Sequence, residues 1–95
     1  MTTNIEELID ILIQAINEEN YREKYIREFQ NIIWNIDKDD MNPEILSMFD
    51  ELAYDLDYYE PDPIKRKEEL SLYGDDEAVN RVKIFLIKYN FSDDL

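Results

Sequence analysis

The segment Asn42–Asp62, NPEILSMFDELAYDLDYYEPD, constrains the fold of this chain more than any other stretch. Asn42 can cap a helix, and Pro43 suits the first helical position, where its missing N–H is not needed. Apolar side chains then recur at helical spacing, at Ile45, Phe49, Leu52, Leu56 and Tyr59, with Ala53 beside them. This pattern predicts a helix with one core-facing side, which Pro61 ends after Glu60.

The opposite side of this predicted helix carries acidic and tyrosine side chains, given a rotation of about 100° per residue. They are Asp50, Glu51, Tyr54, Asp57 and Tyr58. The helix then leads into a rigid corner, Glu60-Pro61-Asp62. The sequence therefore predicts a surface of carboxylates and tyrosines as the working part of the protein.

Three further stretches show helical periodicity. Their predicted bounds are about Ile5 to Ile16 with Asn4 as cap, about Asn20 to Asn35, and Asp75 as cap to Tyr89 or Asn90. Their apolar positions are Ile5, Leu8, Ile9, Leu12 and Ile16; Tyr21, Tyr25, Phe29, Ile32, Ile33 and Ile36; and Val79, Val82, Phe85, Leu86 and Tyr89. Four amphipathic helices with mostly short connections predict an all-α fold, a single-domain antiparallel four-helix bundle over residues 1–95.

The polar residues of the second helix are expected on its outside, Arg22 among them, and Glu23 and Arg27 have the spacing of an i,i+4 ion pair. Trp34 lies off the centre of the apolar stripe, which favours a partly buried edge position over a ligand platform.

The connections are acidic or irregular. Asp37–Asp40 resembles a calcium loop only superficially, because Asn42 and Met48 stand where that loop needs glycine and glutamate. Residues 62–74 form the longest connection, in which Glu68–Leu72 could add a helical turn before the break at Gly74. The last five residues, FSDDL, are expected to fray.

Composition limits the possible chemistry. The chain has 95 residues, no cysteine and no histidine, so neither a disulfide framework, a zinc site nor an imidazole base is expected. Its first residues lack the pattern of a signal peptide, and no apolar run approaches membrane-spanning length, so a cytoplasmic protein is expected. Asp57 and Glu60 are close enough for acid–base work, but on a wet acidic surface we expect no enzyme, no catalytic residue, no metal and no cofactor.

The net charge of −14 is concentrated in one part of the chain. Residues 37–62 carry ten carboxylates against one lysine, whereas residues 63–95 carry seven against six basic side chains. Such a field repels nucleic acid and anionic membranes and attracts basic proteins. Carboxylates interleaved with tyrosines have the charge and aromatic character of an RNA strand, and could occupy the basic cleft of a nuclease.

The stretch LDYYEPDP, Leu56–Pro63, resembles the small bacterial immunity proteins of the colicin D type, including relatives paired with contact-dependent growth inhibition toxins. The start of the predicted third helix, NPEIL, and the last helix, DEAVNRVKIFLIKY at Asp76–Tyr89, are similar to the same family. The first half of the chain agrees with it only in helical pattern. The lysine-rich insert Lys65–Lys67, and Tyr58 where a basic residue can occur, depart from the family pattern and leave the toxin open.

The resemblance implies a four-helix bundle that binds a cognate nuclease toxin, typically a tRNA-cleaving domain, as a heterodimer and blocks its active cleft by RNA mimicry. Carried over by position, the mimics are Asp57, Glu60 and Asp62. Helical geometry adds Tyr58, Tyr54 and Asp50 as toxin-binding residues. The free protein is expected to be a monomer.

Two other interpretations stay open. In one, the chain is an acidic adaptor or regulatory bundle that binds a basic helix or tail with the same face. In the other, the tyrosines pack, Tyr59 above all, and the carboxylates serve only solubility.

Overall fold

The computed structural model describes residues 4–91, which form an all-α domain built on four long helices, with no β-strand in that range. The helices are α1 (Ile5–Asn17), α2 (Arg22–Asn35), α3 (Pro43–Asp55), a single turn α4 (Pro63–Arg66) and α5 (Asp75–Lys88). The predicted all-α four-helix bundle is confirmed. The fraying expected of the last five residues falls, beyond Phe91, outside the described residues.

Short polar side chains begin three of these helices. The side chains of Asn4 and Asn42 accept hydrogen bonds from the second amides of α1 and α3, both at 2.8 Å, as predicted. Asp62 caps α4 in the same way, accepting from Ile64 N at 2.9 Å. Each cap satisfies an amide that the helix itself cannot pair.

The core lies between α1, α2, α3 and α5. Its buried side chains include Leu8, Ile11, Leu12, Ile26, Phe29, Ile33, Phe49, Leu52, Leu56, Val82, Phe85 and Leu86. Phe49 lies at the centre, edge-on to Phe29 with ring centroids 6.1 Å apart and 5.4 Å from Phe85. The predicted stripes are therefore correct at their centres, although Tyr21 is 58% exposed.

The end of α5 is ordered by a C-cap rather than frayed. Asn90 adopts a left-handed φ of 63°, Asn90 N donates to Ile87 O, and Phe91 N donates to Leu86 O at 2.7 Å. These two bonds form a Schellman motif. The turn brings Phe91 back onto Phe49, with the rings stacked 6.1 Å apart. The expectation that Phe91 frays is therefore wrong.

Arg22 is buried rather than exposed, which corrects the prediction for α2. A short 3₁₀ turn, Glu19–Tyr21, precedes it, so α2 begins two residues later than predicted. The Arg22 guanidinium donates to Ala15 O at 2.7 Å and to Ile16 O at 3.0 Å, which are unpaired carbonyls at the end of α1. It also lies 3.3 Å from Asp75, so the guanidinium has partners for its buried charge.

The sequence predicted that Asp75 caps α5, which is wrong. Gly74 is the N-cap residue, and Asp75 is the first residue of the helix. Its carboxylate accepts a 2.6 Å hydrogen bond from the Tyr59 hydroxyl and also pairs with Arg22. Asp75 thus joins the start of α5 to the segment after α3.

The 62–74 connection is folded differently from the prediction. Its helical turn is Pro63–Arg66, not Glu68–Leu72, because Asp62 supplies the cap. Gly74 permits a close approach at the far end, since a Cβ there would lie 2.8 Å from Arg66 Nη1.

None of the helices within residues 4–91 has both the length and the apolar character needed to cross a bilayer.

Candidate functional site: an acidic surface

The six residues predicted to bind a partner lie on three consecutive pieces of chain. Asp50 and Tyr54 are on α3, Asp57 and Tyr58 on a 3₁₀ turn (Leu56–Tyr58), and Glu60 and Asp62 on the corner that follows. Tyr54 is 61% exposed and Tyr58 47%; Asp57 is exposed, and Asp50, Glu60 and Asp62 are half-buried. We call these six residues the acidic surface.

Helix α3 ends at Asp55, earlier than predicted. The chain tightens into the 3₁₀ turn and is extended at Tyr59, so it has left the helix before Pro61. Tyr59 is only 2% exposed and forms an isolated parallel bridge with Tyr73. Packing of Tyr59 was one of the interpretations that the sequence left open, and the ring is buried. Its burial accompanies the extended backbone at Tyr59, where the chain is no longer helical.

Two polar side chains of α2 hold the end of α3. Gln30 Nε2 donates to Ala53 O at 2.9 Å, and Gln30 is almost fully buried. Arg27 donates to Leu56 O at 3.4 Å and to Tyr59 O at 2.8 Å, and its Nη1 also binds Gln30 Oε1. The carbonyls that the helix end leaves unpaired thus find donors inside the protein. The prediction that Arg27 lies on the outside of α2 and pairs with Glu23 is wrong, because Arg27 binds Gln30 and the end of α3 instead.

The 62–74 connection and the start of α5 hold the rest of the segment. Tyr73 N donates to Tyr58 O at 3.0 Å, Tyr73 O accepts from Glu60 N at 2.8 Å, and the Tyr73 hydroxyl donates to Asp55 O. Arg66 Nη1 donates to Glu60 O at 2.6 Å. Residues 53–60 are therefore bound by side chains and backbone from both sides.

This bonding sorts the groups of the segment by direction. The backbone carbonyls of Ala53, Asp55, Leu56, Tyr58, Tyr59 and Glu60 point to donors within the protein. The side chains of Tyr54, Asp57 and Tyr58 point to solvent. Because the backbone is already fixed, a partner that binds these side chains does not have to order the chain first.

Some carboxylates of the segment serve the fold. Asp55 is paired with Arg81, which also binds Glu77 at 2.9 Å. Asp62 caps α4, and Glu60 Oε2 accepts from Asp62 N at 3.2 Å. Asp57 is exposed and has neither a cap nor an ion-pair role among residues 4–91. It is the carboxylate of the acidic surface most clearly available to a partner.

Trp34 belongs beside the acidic surface, which the sequence reading missed. It is 44% exposed, in accord with an edge position, and its ring centroid lies 5.7 Å from that of Tyr54. A cleft between α2 and α3 is lined by both rings and by Asp50. The sequence feature that could have indicated this cleft is the single tryptophan on α2, together with a tyrosine on the outer side of α3.

Three groups near the acidic surface have shifted pKa values. Burial, followed by the hydrogen bond to Asp75, raises the pKa of Tyr59 above its usual range. Burial and the charge of Asp55 do the same for the pKa of Tyr73. Burial lowers the pKa of Arg81, but its bonds to Glu77 and Asp55 outweigh this and raise it. These groups are held in the ionisation states that their hydrogen bonds require at neutral pH.

The described residues contain no group of three or more acidic, histidine or cysteine side chains arranged to hold a metal ion. What the surface offers is a fixed array of negative charge with exposed aromatic rings. Comparisons with protein-family models, curated proteins and solved structures find no match for this chain. The resemblance noted above therefore rests only on the residues that carry it, 42–46, 56–63 and 76–89.

Proposed function

We propose that this chain is an immunity protein that binds and neutralises a bacterial nuclease toxin, a tRNA-cleaving domain, in the cytoplasm. The acidic surface covers the basic active-site cleft of the toxin and takes the place of its RNA substrate. The chain itself performs no chemistry.

One observation carries this proposal: within the most acidic part of the chain, the backbone of residues 53–60 is hydrogen-bonded to α2 and to the 62–74 connection. Arg27, Gln30, Arg66 and Tyr73 fix residues 53–60 from within. A segment that served only solubility would not need such fixation, because exposed charge acts on solubility wherever it lies.

The mechanism has two stages. The charge of residues 37–62 attracts a basic cleft from a distance, which raises the association rate. Contact then depends on aromatic side chains near the centre of the interface, because tyrosine and tryptophan contribute most to such interfaces. Three exposed rings lie on or beside the acidic surface and would make this contact: Tyr54, Tyr58 and Trp34.

The test is inhibition of RNA cleavage. The proposal expects a nuclease toxin to be encoded beside the gene for this chain. That nuclease domain is assayed on tRNA with one equivalent of this protein, of its Asp57→Lys variant, or of Glu7→Lys on α1. We expect complete inhibition by the unaltered protein and by the α1 control, and strong loss of inhibition for Asp57→Lys. Cleavage that continues in the presence of excess protein would contradict the proposal.

A further inference from the structure

A cleft between α2 and α3 lies at one end of the acidic surface, beside the Trp34 and Tyr54 rings, which contact each other. Its walls are the two exposed rings, whose planes are inclined by 50°. Asp50 lies one helical turn before Tyr54 and lines the same cleft. Ile33, Ile36, Pro43 and Leu46 supply its apolar floor. The cleft therefore combines aromatic faces, a carboxylate and an apolar base.

We propose that this cleft binds the guanidinium group of one arginine side chain presented by a basic protein. Aromatic faces attract cations, with tryptophan the most effective, and a carboxylate beside them supplies a charge-assisted hydrogen bond. The apolar floor suits the methylene stem of the side chain. This inference rests on the proposed function only in that the partner is basic.

Arginine fits better than lysine for geometric reasons. A guanidinium is flat, so it stacks on a ring while its edge donates two hydrogen bonds to a carboxylate. It is also more weakly hydrated than an ammonium group, and so loses less on entering an apolar cleft. A neutral analogue of the same shape, citrulline, keeps the stacking but lacks the charge.

The two charged residues that line the cleft have opposite signs. Lys38 also lines it and opposes a cation, whereas Asp50 favours one. Asp37, Asp39 and Asp40 flank Lys38 in sequence, in the loop that leads to α3. Removal of the Lys38 charge should therefore strengthen binding, which gives a variant with the opposite sign to the others.

The experiment uses Trp34 as its own reporter, because the chain contains one tryptophan. Its emission, and the signal of its indole N–H in NMR spectra, are followed during titration with the blocked tripeptides Gly-Arg-Gly, Gly-Lys-Gly and Gly-citrulline-Gly. Peptide and salt concentrations are matched, so that ionic strength is the same in each series. For single contacts of this kind we expect a dissociation constant on the order of 10 mM for the arginine peptide.

The variants are chosen to keep both the fold and the reporter. Tyr54→Ala and Asp50→Asn should each weaken binding of the arginine peptide about two- to fivefold. Lys38→Gln should strengthen it, and Glu7→Gln on α1 should leave it unchanged. Far-UV circular dichroism checks that each variant is folded. All four positions keep Trp34 intact.

The proposal is supported if the arginine peptide binds more tightly than the lysine and citrulline peptides and the variants change affinity in these directions. Equal responses to the three peptides, or no effect of Tyr54→Ala and Asp50→Asn, would overturn it. The outcome is independent of the toxin assay. Arginine binding without inhibition of a nuclease contradicts only the proposed function, and inhibition without arginine binding contradicts only this inference.

Discussion

At the scale of single residues, the main lesson concerns polar side chains that bind backbone rather than solvent. Arg27 and Gln30 lie off the predicted apolar stripe of α2, whereas Arg22 lies on the same side as Phe29 and Ile33 and was expected outside because of its charge. Each of the three donates to carbonyls of another element. Such carbonyls exist only once the ends of α1 and α3 are in place. Sequence periodicity cannot identify them, because it separates apolar from polar faces and says nothing of which polar group finds a partner.

Arg27→Ala should destabilise the protein by about 1–2 kcal/mol, because it removes the donor of Tyr59 O. It also removes a longer contact to Leu56 O, which keeps its bond from Tyr59 N. Urea unfolding followed by circular dichroism measures this change. Lys24→Ala on the exposed side of α2 is the matched control and should alter stability by less than about 0.5 kcal/mol. Equal effects of the two substitutions would show that Arg27 does not hold the end of α3.

Alkaline pH should destabilise the protein through Tyr59 and Tyr73. Their pKa values are raised in the folded state, so the neutral phenol is favoured by folding. Their contribution is complete below the ordinary tyrosine pKa of about 10 and is lost as pH rises from there towards the folded-state pKa. Thermal unfolding at pH 8 and pH 11 should show the decrease.

Tyr59→Phe separates this effect from general alkaline damage. The variant loses the hydrogen bond to Asp75 at pH 8, but its stability should fall less steeply between pH 10 and 11. Tyr21→Phe, at an exposed tyrosine, is the control. A slope for Tyr59→Phe identical to that of the unaltered protein would contradict a role for this hydroxyl.

At the scale of helices and turns, the sequence predicted the cores of the elements better than their ends. Asn4 and Asn42 were correctly identified as caps because the cap is a local interaction. The end of α3 was misplaced because burial of Tyr59 and its bridge to Tyr73 depend on a residue fourteen positions later in the chain. Asp75 was misread for the same reason: its bonds to Arg22 and Tyr59 are long-range.

Asp62 has both a cap role and a charge, and two substitutions separate them. Asp62→Ala should reduce stability by about 1 kcal/mol, whereas Asp62→Asn keeps a capping oxygen and should change stability little. Both remove the charge from the acidic surface. If Asp62 contacts the toxin, both variants lose affinity to a similar degree, as measured by calorimetry. Full affinity of Asp62→Asn would remove Asp62 from the interface.

The Schellman motif after α5 predicts an order of stabilities at position 90. Asn90→Gly should be neutral or slightly stabilising, because glycine accepts a left-handed φ without strain. Asn90→Val should cost about 1–2 kcal/mol, since a branched Cβ crowds the backbone there. Denaturant midpoints compare the variants. Equal stability of the glycine and valine variants would exclude the left-handed turn, and with it the stacking of Phe91 on Phe49.

At the scale of the whole molecule, the fold class followed from helical periodicity, the caps and the lack of turn-forming glycine. The exposure of Tyr54, Asp57 and Tyr58 was also predicted from sequence, because helical geometry places them outside the core. That the six residues bind a toxin stays a prediction. Their support from α2 and from residues 66–73 was not predictable, since it depends on packing. The same holds for the Trp34–Tyr54 cleft.

The carboxylates of this protein therefore fall into two groups, those that bind other groups of the fold and those that face solvent. Asp55, Asp62 and Asp75 are bonded within the fold, whereas Asp57 faces solvent on a turn whose backbone is fixed. This arrangement underlies the central claim that the acidic surface is a preformed binding site for a basic cleft.

The most direct test is the association rate with the nuclease domain that the proposal expects to be encoded beside this chain, measured at low and high salt by surface-based binding. We predict fast association at low salt, with a rate that falls steeply as salt screens the charges of residues 37–62. Asp57→Lys should slow association, and Tyr58→Ala should speed dissociation, while Glu7→Lys on α1 changes neither beyond its effect on net charge. Absence of binding, or binding whose rate is insensitive to salt and to Asp57→Lys, would contradict the account and favour an acidic adaptor for a different basic partner.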